Sequence, residues 1–150
     1  MLAEQIQEIT SSAAFSQIPK DAYLCNVFVD DTGTSFGFYC VAENKIYTFS
    51  YPDIKVTDAS EPVSPNLPRL TVTDTMLIAA TALLKAKEHV AKEYSSEKPM
   101  KTFALLQDFK GKMVWQCIML TQSLKSISMR FNVDTGALED ASCDDFVRMQ

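Results

Sequence analysis

Glycine is scarce in this chain, histidine nearly absent, and clustered cysteine missing altogether. The 150 residues hold 4 glycines, 4 cysteines and a single histidine. The glycines form no phosphate-cradling loop and no Gly-x-Ser-x-Gly elbow, and no His-Glu-x-x-His occurs, so the usual nucleotide, hydrolase and metalloprotease signatures are missing. His89 lies on a predicted helix far from any cysteine. Cys25, Cys40, Cys117 and Cys143 include no Cys-x-x-Cys pair. A zinc site needs ligands at short spacing, so neither a metal nor another cofactor is expected. Basic residues are also in the minority, 14 against 19 acidic, for a net charge of −5. No window is basic enough to track a phosphate backbone, which argues against nucleic acid as a partner. Long apolar runs are lacking too. The stretch from Met76 is broken by Thr81 and ends at Lys85, too short to span a bilayer, so no membrane is expected. The opening "MLAEQIQEIT" has neither the basic n-region nor the apolar core of a signal peptide. As written the chain reads as cytoplasmic, or as periplasmic or extracellular if a leader has been removed.

The remaining composition is that of an ordinary globular protein, 47% hydrophobic and 22% charged. Its length suits one compact domain or two small, closely packed repeats. Leu2, Ile6, Ile9 and Ala13 recur at helical spacing and predict an amphipathic helix over the first fifteen or so residues. "YLCNVFV", "SFGFYCV" and "IYTFSY" then predict three strands in a meander, closed by Pro52. "ASEPVSPNLPRL" has no period and reads as a linker over 59–72. A second helix, capped by Thr73 or Asp74, is expected to run to Tyr94, with Met76, Ala80, Leu83, Val90 and Tyr94 on its buried side. "KTFALLQDF", "MVWQCIML" and "SISMRFNV" predict three more strands, the last alternating Ile127, Met129, Phe131 and Val133 with polar residues. Cys25, Cys40 and Cys117 fall where small buried side chains are expected. Cys143, in the acidic "ASCDDF", should be more exposed, with its pKa raised by neighbouring carboxylates.

The fold class expected is therefore α+β, with antiparallel sheet packed on helices in two tandem α-β-β-β repeats. The first covers 1–58, the linker 59–72, and the second, with an acidic tail, 73–150. "FGFYCV" lies opposite "MVWQCI", setting Cys40 against Cys117, and the turns "DDTGT" and "DFKGK" both place glycine where a positive φ is needed. Two unrelated α+β meanders would look alike at this resolution, so the duplication stays one of two readings.

Asp-Thr-Gly occurs twice, at Asp31–Gly33 and Asp134–Gly136, the triplet with which an aspartic peptidase presents its carboxylate. Such an enzyme needs two carboxylates sharing a proton on one water. Asp31 follows Asp30 rather than an apolar residue, and only sixteen residues follow Asp134. Neither has a later hydrophobic-hydrophobic-Gly segment to support it. Both triplets read as turns, in which aspartate accepts from amides further on and glycine takes the left-handed position. "NVDTGALED" is then the exit turn that lets the chain leave the sheet after the last strand. No catalytic residue is expected, and the protein reads as a non-enzyme.

The stretch from Thr73 to Asp140 resembles a PepSY domain. "TDTMLIAATALLKAKEHV" matches that family's alanine-rich helix, "MVWQCIML" its middle strand with Trp115 at the aromatic position, and Val133, Asp134, Thr135 and Gly136 its closing motif. In the family two residues usually separate Asp from Thr-Gly; here they are adjacent, so the turn differs. The resemblance implies a cystatin-like fold, a curved antiparallel sheet against a helix, and a binding or inhibitory role with no catalytic residues. A tandem pair would be laid out like the β-lactamase inhibitory proteins, with a protein or peptide partner on the sheet face that helices leave free. Ring-rich strands in the first half suggest the contact residues: Tyr39, Tyr47, Phe49 and Tyr51 are expected on that face, unless the linker, the other repeat or a dimer mate covers them. An acidic dimeric secretion chaperone and an immunity-type inhibitor of a toxin are the alternatives.

Overall fold

The computed structural model of the chain describes residues 2–57, 59–62 and 64–145. They form α1 (Leu2–Thr10), β1 (Tyr23–Asp30), β2 (Gly33–Cys40), β3 (Lys45–Tyr51), α2 (Ala79–Glu93), β4 (Pro99–Phe109), β5 (Lys112–Thr121), β6 (Lys125–Asn132) and β7 (Leu138–Asp145). This is an α+β protein of antiparallel strands with two α-helices. It divides into two compact units, Met1–Phe28 with Thr32–Thr75, and Val29–Asp31 with Met76–Gln150.

In the first unit the strand order is β3–β2–β1. Thr34, Phe36 and Phe38 pair with Tyr51, Phe49 and Tyr47, so these six share one face, while Tyr39 pairs with Ile46 on the other. Helix α1 stops at Thr10, earlier than its apolar spacing predicts. The Ser12 hydroxyl donates to the Ile9 carbonyl at 2.6 Å and accepts from the Phe15 amide at 3.3 Å. Serine thus offers the backbone an alternative to the next helical turn. The chain enters a 3-10 turn at Phe15–Gln17 instead. That turn sets the Phe15 ring 5.0 Å from Phe38 and 5.6 Å from Phe49, and Ile9 of α1 is fully buried. Gly33 is required at the β1–β2 turn. Its φ is +146°, and a Cβ there would lie 2.9 Å from the Tyr51 carbonyl oxygen.

The proline-rich stretch is not a free linker. Val56 and Ser60 bridge antiparallel to Phe49 and Ile46 along the outer edge of β3, and the Leu70 amide donates to the Leu24 carbonyl at 2.9 Å. Backbone groups that looked unpartnered in sequence are satisfied by the sheet. The predicted boundary at Asp58, and Val63 within the stretch, lie outside the described residues.

In the second unit the order is β4–β5–β6–β7. Leu106, Trp115 and Phe131 are in register across three strands, as are Ala104, Cys117 and Met129. All are buried, on the face where α2 lays Ala82, Ala86 and Val90. Alanines let the helix lie close to the sheet. The helix starts at Ala79 with Ile78 as an extended N-cap and no side-chain cap, so Thr73 and Asp74 do not cap it. The cause is Leu77. Its amide donates to the Val133 carbonyl at 2.8 Å, and its own carbonyl accepts from Trp115 Nε1 at 2.8 Å, which keeps Leu77 and the extended Ile78 out of the helix, after a turn at Asp74 and Thr75. Of the expected buried stripe, Met76 and Val90 are buried, Leu83 and Tyr94 half-buried and Ala80 exposed.

A strand that the sequence does not signal, β7, returns along β6. "NVDTGALED" is therefore a hairpin turn, and the chain does not leave the sheet there. The side chain that builds the turn is Asn132: its Oδ1 accepts from the amides of Asp134 at 2.8 Å and Thr135 at 3.0 Å. The Gly136 amide donates to the Asn132 carbonyl at 2.8 Å, with φ at +74°. The tail past Asp145 lies outside the described residues.

Candidate functional site

The four rings expected on an open face do not share one. Tyr39 is 1% exposed and Phe49 fully buried, which corrects their assignment as contact residues. Tyr39 donates its hydroxyl hydrogen to Asn44 Oδ1 at 2.7 Å and accepts the Asn66 amide at 3.0 Å, anchoring the proline-rich stretch. Phe49 fills the space between Phe38 and Phe15. Tyr47 and Tyr51 are half-buried on the side that carries α1. The Tyr51 hydroxyl donates to Glu8 at 2.9 Å, and that of Tyr47 to Glu43. A short helix and one 3-10 turn supply few side chains, so the sheet must supply the bulk; the surplus of rings is core.

The sheet of the second unit has a different second face. Opposite α2, register sets Leu105 beside Gln116 beside Arg130, and Ile118 beside Ser128, with Leu120 beyond. All are half-buried. A polar line crosses three strands: Gln107 Nε2 donates to Gln116 Oε1 at 2.6 Å, and Gln116 Nε2 donates to Ser128 Oγ at 2.9 Å. The Arg130 guanidinium lies 4.0 Å from the Phe109 ring centroid and is held by Asp140 at 2.8 and 3.1 Å. This is an amphipathic surface, with aliphatic side chains flanking oriented amides and one stacked cation. Sequence pattern could have found it. "FALLQDF" and "VWQCIML" place apolar residues on both faces, where a strand with one wet face would alternate.

Burial pushes the Cys25 thiol up to about 11 and that of Cys117 to about 12, so neither supplies a thiolate near neutrality. Cys143 is raised first by partial burial and then by Glu97, Asp144 and Asp145, against Lys125. His89 rests edge-on against Tyr94 at 5.9 Å. Asp31 lies in the β1–β2 turn and Asp134 in the β6–β7 turn. Among the described residues no three His, Cys, Asp or Glu side chains are grouped to hold a metal ion, and no helix is long and apolar enough to cross a membrane.

Fold and surface together define the chain as an α+β protein whose antiparallel strands carry helices. No protein-family model matches the chain, nor does any curated protein by sequence. Its architecture is similar to the crystal structure of a predicted lipoprotein from Clostridium difficile 630, with a TM-score of 0.60 and 11% identity, over 95% of this chain and 92% of that one.

Proposed function

We propose that the protein is a non-catalytic binding module, of PepSY-like build, which receives an apolar protein or peptide segment on the face of β4–β6 opposite α2. The observation that carries this reading is the row of half-buried aliphatic side chains, Leu105, Ile118 and Leu120, beside the amide line Gln107–Gln116–Ser128. Apolar area gives affinity there, and the amides give a backbone or side chain something to register against.

A tandem origin of the two units is part of the same proposal. Both run helix, then three antiparallel strands, and both continue with chain that returns to the third strand: Val56 and Ser60 bridge to β3, and β7 pairs with β6. Most of the Thr73–Asp140 stretch that resembles PepSY falls in the second unit, which carries this face.

Selection of a random peptide library on the immobilised protein tests the function. Enriched peptides should be apolar, and Ile118→Glu/Leu120→Glu should abolish their binding. Trp115, on the opposite face, reports that the variant is folded. Peptides that bind the variant as they bind wild type would overturn the assignment. A homodimer in solution that the same variant dissociates would turn the reading to a dimeric chaperone.

A further inference from the structure

The first unit contains an open cleft of about 560 Å³ lined by α1, the 3-10 turn, β1 and the end of the proline-rich stretch, a volume in the range that small molecules occupy. Its floor is apolar: Leu24, Phe38 and Leu70 are 8%, 3% and 5% exposed, with Ile6 and Phe15 beside them. Its rim is cationic. The first 75 residues carry Lys20, Lys45, Lys55 and Arg69 as their basic residues; Lys20 and Arg69 both line this cavity, and no acidic residue does. Lys55 is instead paired with Asp53 at 3.2 Å. No ion pair involves Lys20 or Arg69 among the described residues.

Arg69 is also positioned. Its guanidinium lies 4.5 Å from the Tyr23 ring centroid, Tyr23 donates its hydroxyl hydrogen to the Leu67 carbonyl, and Leu70 is tied to Leu24 through the backbone. Stacking orders the planar fork before any ligand arrives, which lowers the entropic cost of using it. In a chain of net charge −5, two cations at the mouth of one apolar cavity form a polarity that few solutes match.

We propose that this cavity binds a small amphipathic carboxylate, its head group at Arg69 and Lys20 and its hydrocarbon tail on Leu24, Phe38 and Leu70. A planar carboxylate matches the guanidinium fork, and the hydrophobic term supplies the remaining affinity. The site is independent of the sheet face of the second unit.

Calorimetric titration of the full chain with hexanoate, octanoate and decanoate, each below its micelle concentration, tests the proposal. Affinity should rise about fourfold per methylene, the transfer free energy of one buried CH₂ group. Acetate and decyltrimethylammonium should fail to saturate. Arg69→Gln and Lys20→Gln, both at exposed positions, should each weaken decanoate binding about tenfold and leave the thermal transition unchanged. Equal binding of the cationic amphiphile, affinity that does not change with tail length, or variants that bind as wild type would overturn the assignment. So would the lack of saturable binding by decanoate.

Discussion

In the first unit the 3-10 turn closes over Phe38 and Phe49, while irregular chain runs along β3 and is gripped by the Tyr39 hydroxyl. In the second, one longer helix covers one face with three small side chains, and the sheet edge beyond β6 is another strand. Similar lengths of meander are thus completed by opposite means. One unit depends on aromatic bulk and on polar ties to loops, the other on close helix packing around a single indole. Rings read from sequence as a surplus are therefore no guide to an interface. They are what a sheet needs when its covering elements are short.

The contrast predicts where each unit fails. Trp115 is fully buried and bonded to the chain that leads into α2. Trp115→Ala should cost about 3–5 kcal/mol, and hydrogen exchange should show β4–β6 and α2 losing protection together. Loss spread thinly over a few neighbouring amides would mean the helix is not keyed to the indole.

Smaller losses should separate ring from hydroxyl, and one turn residue from its neighbour. Tyr39→Phe keeps the ring but leaves the Asn66 amide and Asn44 without their partner, at a cost of about 1–2 kcal/mol; exchange should accelerate around residues 64–70 first. In the second unit Asn132→Ala should cost about 1 kcal/mol by removing the acceptor of two turn amides. Asp134→Asn should change stability by less than about 0.5 kcal/mol. Chemical denaturation of the two turn variants decides between them, and the reverse order would restore the aspartate as the turn-former.

The smallest effects are opposite responses to pH. Hydrogen bonds from Ser123 to Glu97, together with Thr121 and the Lys125 charge and against partial desolvation, hold this carboxyl below its ordinary 4.5. Its contribution is present above that value and is lost as pH falls through the lower folded-state pKa. In the first unit, donation to Glu43 raises the Tyr47 phenol and donation to Glu8 raises Tyr51, each above 10.0. Their contribution is present below 10.0 and lost as pH rises through the raised values. NMR titration should therefore show acid loosening the β5–β6 turn and alkali loosening β3 from α1. Glu97→Gln should remove the first response only.

Strands with alternating apolar residues were legible to within a residue or two: β6 from Ile127, Met129 and Phe131, and β1 from "YLCNVFV". What escaped was structure made by partners distant in sequence. The helix spacing that begins at Met76 is overridden by two hydrogen bonds made by the peptide groups of Leu77, one to the Val133 carbonyl and one from an indole 38 residues away. β7, "LEDASCDD", has the acidic composition of an exposed edge, where charge discourages further pairing and hides the strand from any hydrophobic pattern. Among the site residues, the aromatic content of β2 and β3 was read correctly and its direction wrongly. Which side of a sheet a helix will occupy is not written in the sheet.

The line Gln107–Gln116–Ser128 has one more consequence. Each amide in it donates in the same sense, so the sense is shared: turning Gln107 alone would set acceptor against acceptor, and turning Gln116 alone donor against donor. The row therefore has two self-consistent states, each polarised from one strand to the third. A group that satisfies Gln107 at one end selects what the Ser128 hydroxyl offers at the other, almost without moving an atom of the backbone.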